Sequence, residues 1–207
     1  MPATWFSGGS VSVSARLNAW LDAAPAVELE RLATPSGAWR PELRLLVVGC
    51  GAAKRSAPTA AEELYTGPLT RDAIGYARAS GLPWCIVSGL HGILWPSLVV
   101  EPYDQRIPRG EDLRGWTDRV GSQLSLWMDA IGWRPRIRRE GDRCGTLPGS
   151  VLLEVHAGSE YVAGLSGRWW GVEAPLRGLS MLERRRWYRE AREASGAQVS
   201  LFGGSNG

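Results

Sequence analysis

The sequence predicts an α/β fold, a three-layer sandwich around a mainly parallel central sheet, with an N-terminal helical arm in front of it. Three observations carry that prediction. Short, mostly apolar runs recur at 43–49, 83–89 and 150–158 without the alternation of a half-solvated strand, as strands buried on both faces do. Helical patterns separate the runs, and strand-helix-strand alternation is what a parallel sheet with crossovers requires. A chain of 207 residues, 44% hydrophobic and 22% charged, is long enough for one domain with a proper core.

In chain order, the run ARLNAWLDAAPAVELERL places Leu17, Trp20, Leu21 and Ala24 at helical spacing, and Pro25 kinks or ends that helix. Residues 1–40 therefore read as the arm. The core spans 41–195. Its first strand is LRLLVVG, Leu43 to Gly49; residues 60–80 are mostly helical with a break at Gly67-Pro68, and PWCIVSG, Pro83 to Gly89, is the second strand. Over 111–132, Leu113, Trp116, Val120, Leu124, Trp127 and Ile131 fall three or four apart, which gives an amphipathic helix. SVLLEVHAG is the third strand. A last helix near Leu179 to Ala194 carries Arg184, Arg185, Arg186, Arg189 and Arg192; Arg186 with Glu190 and Arg189 with Glu193 are i,i+4 pairs, which reads as a solvated face. Residues 196–207 read as a flexible tail.

Ligand sites of such sheets lie at the carboxyl ends of the strands. Each strand here runs into a suggestive loop: GCGAAKRS, SGLHGILWP and HAGSEY. The expectation is that these loops converge on one cavity.

Charge and composition narrow the function classes. Net charge is +3 and the isoelectric point is near 9.0, which agrees with a polyanionic partner. Lys54 is the sole lysine beside 23 arginines, so it marks a position where a compact ammonium, or a potential nucleophile, is wanted in place of a planar fork. Eleven tryptophans serve mostly as core, with some available as stacking platforms. Cys50, Cys85 and Cys144 are widely spaced, and with His91 and His156 they make no zinc pattern, so no metal, no other cofactor and a reducing compartment are expected. No basic start precedes an apolar run, and no segment reaches about eighteen apolar residues. The chain is expected to be cytoplasmic, with no membrane partner.

The candidate residues follow from chemistry. The backbone of Gly49, Cys50 and Gly51, followed by Lys54, suits a phosphate or a developing anion. Cys50 reads as a small core residue or a nucleophile, and Tyr65 as a stacking platform or a helix anchor. His91 lies between Gly89 and Gly92 after Ser88, in a loop where packing alone does not call for an imidazole. Glu101, Tyr103 and Asp104 put an aromatic between carboxylates. For breaking a glycosidic bond, Asp104 can orient water and stabilise an oxocarbenium-like centre while Tyr103 holds the base. Pro102-Tyr103-Asp104 also reads as a turn. His156 ends the third strand and is expected to face His91. Arg134, Arg136, Arg138 and Arg139, in a stretch with five arginines in eleven residues, read as a phosphate-gripping edge or a solvated connector.

The motifs VVGCGAAK, AAEELYTGPL, PWCIVSGLHGILWPSLVVEPYDQRI, VHAGSEYVAGL and APLRGLSMLERRRWY, in that order, resemble a family of mostly uncharacterised bacterial domains. That family is similar to the peroxide-stress protein YaaA and, more distantly, to a domain of archaeosine synthase; the wider group is compared with the uracil-DNA-glycosylase-like fold. The resemblance covers about residues 43–190. It implies that Lys54 holds the family's cation after the first strand. Ala52 and Ala53 stand where family members carry further cations, and Ser88-Gly89-Leu90-His91-Gly92 stands where S-A-K-H-G is common, so fewer cations line this pocket.

QVSLFGG, Gln198 to Gly204, resembles the bacterial sliding-clamp-binding pentapeptide, in which Leu201 and Phe202 would enter an apolar cleft and Gln198 would bond at its rim. An apolar tail folded back on the core is the alternative. Three functions remain: a clamp-recruited, glycosylase-like enzyme that excises or processes a modified DNA base, a non-catalytic DNA-binding stress or clamp-interaction protein, and a nucleotide- or tRNA-base-modifying enzyme.

Overall fold

The computed structural model describes residues 13–26, 43–133, 137–140, 143–146, 151–166 and 170–202, with the backbone course alone for 13–14, 137–140, 143–146 and 195–202. In chain order the elements are α1 (Val13–Asp22), β1 (Leu43–Gly49), β2 (Thr59–Ala60), α2 (Ala61–Leu64), α3 (Pro68–Ala79), β3 (Trp84–Ser88), β4 (Gly92–Leu94) and β5 (Val99–Val100). They continue with α4 (Glu111–Ala130), β6 (Ile137–Glu140), β7 (Arg143–Thr146), β8 (Val151–His156), α5 (Ser159–Leu165), β9 (Gly171–Glu173) and α6 (Met181–Phe202).

The five-stranded sheet has the order β4-β3-β1-β8-β9. The three apolar runs form its centre: β1 lies between β3 and β8, parallel to both, with Val47 opposite Cys85 and Val155. Leu45, Leu46 and Val48 are fully buried, which is why the run shows no alternation. The edges are β4, antiparallel to β3, and β9, parallel to β8. Helices α3 and α6 pack together over one face, where the side chains of Glu154 and His156 meet Tyr76 and Tyr188. Helices α4 and α5 cover the other face, and α4 buries Trp116, Val120, Leu124 and Trp127 on one stripe. The expected three-layer α/β sandwich is therefore present.

The helix ends follow local chemistry. Pro68 opens α3 after Gly67, where a missing N–H costs nothing. Ser180 and Glu183 cap α6 reciprocally: the Glu183 carboxylate accepts from the Ser180 N–H at 2.7 Å, and the Glu183 N–H points back to Ser180 Oγ at 3.4 Å. Gly132, at φ +70°, closes α4, with the Trp133 N–H donating to Met128 O at 2.8 Å.

Helix α1 docks on the sheet edge. Trp20, 1% exposed, donates its indole N–H to Ile93 O at 3.0 Å and packs 5.0 Å from Trp95. Trp20, Trp95, Trp116, Trp127, Trp133 and Trp170 are buried, so core packing accounts for most of the tryptophans described. Among the described residues no helix is long and apolar enough to cross a membrane.

Two small pairings arrange the strand-end loops. β2 pairs antiparallel with β5, Thr59 opposite Val100, which fastens the loop after β1 to the segment leading into 101–109. β6 and β7 form an antiparallel ribbon inside the arginine-rich connector.

Candidate functional site

At the end of β1, Gly49 and Gly51 have no room for side chains. A Cβ at Gly49 would stand 2.8 Å from the Ala157 Cβ, and one at Gly51 would stand 2.7 Å from Thr70 Oγ1. Cys50 continues the ladder, its N–H donating to Val87 O at 3.0 Å. The chain then pairs with the residues after α2: Lys54 bridges to Tyr65, with Arg55 N–H on Leu64 O and Thr66 N–H on Ala53 O. This backbone pairing sets the lysine over the strand ends.

At the end of β3, Ser88 Oγ accepts the N–H groups of Leu90 and His91, each at 3.1 Å, and turns the chain. Gln123 of α4 clasps the turn, donating to His91 O at 3.1 Å and accepting from the Ile93 N–H at 2.9 Å. Trp116 donates to Ser88 O at 2.8 Å. Gly89 is required for close approach: a Cβ there would lie 2.4 to 2.5 Å from backbone atoms of Arg106 and Ile107. The 101–109 segment thus rests directly on the strand end and carries Tyr103 into the site.

The side chains form one cluster. The hydroxyls of Tyr65 and Tyr103 lie 2.6 Å apart. Lys54 Nζ stands 4.6 Å from the Tyr103 ring centre and 5.7 Å from that of Tyr65, and it donates to Ala52 O at 3.3 Å. Among the described residues it forms no ion pair. The His91 ring meets Tyr103 edge-on, 4.7 Å between centres at 82°. Cys50 Sγ lies 3.1 Å from the Tyr161 hydroxyl, and the Tyr103 hydroxyl also interacts with Ser88 and Cys50.

Burial chiefly raises the pKa of Tyr65, Tyr103 and Tyr161 far above the ordinary phenol range, so all three stay protonated. Burial, seconded by the Arg119 guanidinium, lowers His91 to about 4, so its imidazole is neutral at pH 7. An array of neutral hydroxyls, a thiol and a neutral imidazole with a lysine over one ring can hold a flat polar ring from its edges and face. Lys54 can meet an anion.

The sequence-predicted residues divide accordingly. Gly49, Cys50, Gly51, Lys54, Tyr65, Ser88, His91 and Tyr103 come together where β1 and β3 end. Asp104, beside Tyr103, is exposed, and its side chain forms no hydrogen bond or ion pair among the described residues. His156 is a correction. It does not face His91: its Nε2 bonds to Glu154 at 2.9 Å, its Nδ1 lies 3.2 Å from the Tyr188 hydroxyl, and Tyr76 and Trp187 enclose it. Strand periodicity sends positions 154 and 156 to the same side of the sheet, under α3 and α6, so His156 belongs to the core. Glu154 accepts from that imidazole first, and from Arg44 at 3.2 Å, which lowers its pKa.

Arg138 and Arg139 lie on the β6-β7 ribbon, and Arg134 and Arg136 fall outside the described residues. The tail also differs from expectation. Helix α6 does not stop near Ala194 but continues through Phe202, so Gln198, Leu201 and Phe202 have helical backbone. One glycine among helix formers costs about 1 kcal/mol, too little to end a helix already extended. Their side chains are outside what is described.

Tyr161 was not among the sequence candidates, although it sits in the first turn of α5, just past the third strand end where the strand-end rule points. Gln123 and Arg119, which hold the His91 turn from α4, show no local pattern in the sequence.

No curated protein matches the chain. Residues 45–190, most of its length and all of the sheet-end cluster, match the model of a family described as a family of unknown function, DUF6884. The chain belongs to the DUF6884 family.

Proposed function

We propose that this protein acts on DNA as a glycosylase-like enzyme, receiving an unstacked base at the Tyr65, Tyr103 and Lys54 cluster. The observation that carries the reading is the Lys54 ammonium, without an ion pair among the described residues, lying over the Tyr103 face at the sheet ends. A base stacking on that face displaces the ammonium, which is then free to meet a phosphate or the departing base. The Tyr103 hydroxyl, backed by that of Tyr65, supplies a donor or acceptor for the base edge. Asp104 takes a proton from water as the water oxygen bonds to the sugar C1′. The C1′–N bond breaks, and the base leaves with that electron pair and takes up a proton.

A non-catalytic DNA-binding protein is the second reading. It is favoured by the exposed Asp104 carboxylate, which no described residue holds in place. Clamp recruitment through Gln198, Leu201 and Phe202 belongs to the same proposal, and docking of an extended peptide requires the last turns of α6 to unwind. Incubating the protein with duplexes that carry damaged, deaminated or alkylated bases and assaying base release separates the readings. Release that Asp104→Asn abolishes supports catalysis. Tight binding with no release supports the second reading, and preference for tRNA or free nucleotide sinks both.

A further inference from the structure

Helix α3 is flanked by two grooves, and arginines line both. On the α6 side a groove of about 480 Å3 is lined by Arg185, Arg186, Arg189 and Arg192 with Asp72 and Glu183. Beside it, a groove of about 280 Å3 is lined by Arg55, Arg71 and Arg78 with Glu62 and Glu63, and its Gly75 abuts Arg192 of the first. Each groove has more guanidinium groups than carboxylates.

The pairing within the grooves leaves cations over. Asp72 serves two arginines, Arg185 Nε at 2.7 Å and Arg192 at 3.7 Å. Of the two i,i+4 pairs that suggest a solvated face, only Arg186 with Glu190 is formed, at 3.7 Å between exposed groups, where such a pair contributes little. Arg189 makes no ion pair with Glu193, and Arg71, exposed on α3, has none either among the described residues. The surplus positive charge faces solvent.

The second groove also leads to the sheet-end cluster. Tyr65 lines the second groove, and its hydroxyl is bound to that of Tyr103. Thr70, next to Arg71, backs Gly51. Twelve residues of α3 span about 18 Å, the length of about five nucleotides of one strand.

We infer that the α3-α6 arginine face carries the sugar-phosphate backbone of DNA whose unstacked base enters the Tyr65-Tyr103-Lys54 cluster. This rests on the DNA reading above and moves the phosphate contacts from the 134–139 connector to α3 and α6. The contacts are sequence-independent, because guanidiniums on a helix face meet phosphates and not base edges.

The test is anisotropy of a labelled duplex containing 2-aminopurine opposite a mismatch, titrated from roughly 50 to 200 mM salt. Arg71→Ala with Arg189→Ala removes two cations that form no ion pair among the described residues, and a melting curve matching the wild type confirms folding. The expected result is a loss of about tenfold or more in affinity, equal for unrelated sequences, and a salt slope shallower by about two. Arg71→Lys with Arg189→Lys should retain most of the binding. Wild-type affinity and slope in the alanine double variant overturn the inference. If the wild type binds and the arginine effect appears but 2-aminopurine fluorescence never changes, the arginine face stands and the base-cluster reading falls. A wild type that binds no DNA, or prefers RNA of the same sequence, overturns both.

Discussion

The ammonium of Lys54 stands 4.6 Å from the centre of the Tyr103 ring, joining the loop after β1 to the loop that crosses the end of β3. Both residues are partly exposed, so the contact contributes about 0.5 to 1 kcal/mol to the fold. Under the proposed DNA reading its weight falls on ligand binding, where a desolvated cation counts for more. Lys54→Met should therefore shift the melting temperature only slightly and weaken binding of mismatch-containing DNA about tenfold, with Lys54→Arg intermediate. A melting shift as large as that of a core substitution, with affinity unchanged, would assign Lys54 to the scaffold.

The Tyr65 and Tyr103 hydroxyls form a pair whose members depend on each other. Tyr65 is 2% exposed, so Tyr103→Phe strands a buried hydroxyl at a cost of about 1 to 3 kcal/mol. Converting both to Phe removes donor and acceptor together. Chemical denaturation of the two single variants and the double should show a double cost smaller than the sum, by about 1 kcal/mol. Additive costs would mean that the 2.6 Å contact has no energetic content.

Gly89 carries the 101–109 segment, since backbone atoms of Arg106 and Ile107 occupy the space a Cβ needs. Backbone cannot rotate away as a flexible side chain can. Gly89→Ala should cost about 1 to 3 kcal/mol and displace Tyr103. Loss of DNA binding should accompany the destabilisation, and binding at the wild-type level in a folded Gly89→Ala protein would detach Tyr103 from the site.

Much of this arrangement was legible in the sequence because it depends on local patterns. Apolar runs at 43–49, 83–89 and 150–158 became the three central parallel strands, and the 111–132 stripe became α4, since periodicity reports burial directly. The strand-end rule brought Lys54, His91 and Tyr103 to one place. What stayed hidden depends on direction or distance. His156 ends its strand as a site residue might, but the parity set by Glu154 turns it toward α3 and α6. The edge strands β4 and β9, three residues each, are too short to show a period. Gln123 serves the site from thirty residues beyond Ile93, a separation no local pattern conveys.

His91 gives the site a measurable dependence on pH. Burial, with Arg119 adding to it, holds the folded-state pKa at about 4, below the roughly 6.5 of a free imidazole. Between those values the unfolded chain binds a proton that the folded chain refuses, so stability falls as pH drops from about 6.5 to about 4. Above that window the group contributes its full share; below it, both states are protonated and the loss is complete. The whole effect amounts to at most about 3 kcal/mol. Glu154, whose pKa is lowered by His156 and Arg44, also loses stability in acid, but equally in wild type and in a His91 variant. Melting temperatures measured from pH 7 down to pH 4 should therefore fall more steeply for the wild type than for His91→Gln. Parallel curves for the two proteins would show that His91 titrates alike in the folded and unfolded chain, and the depressed pKa beside Tyr103 would have to be abandoned.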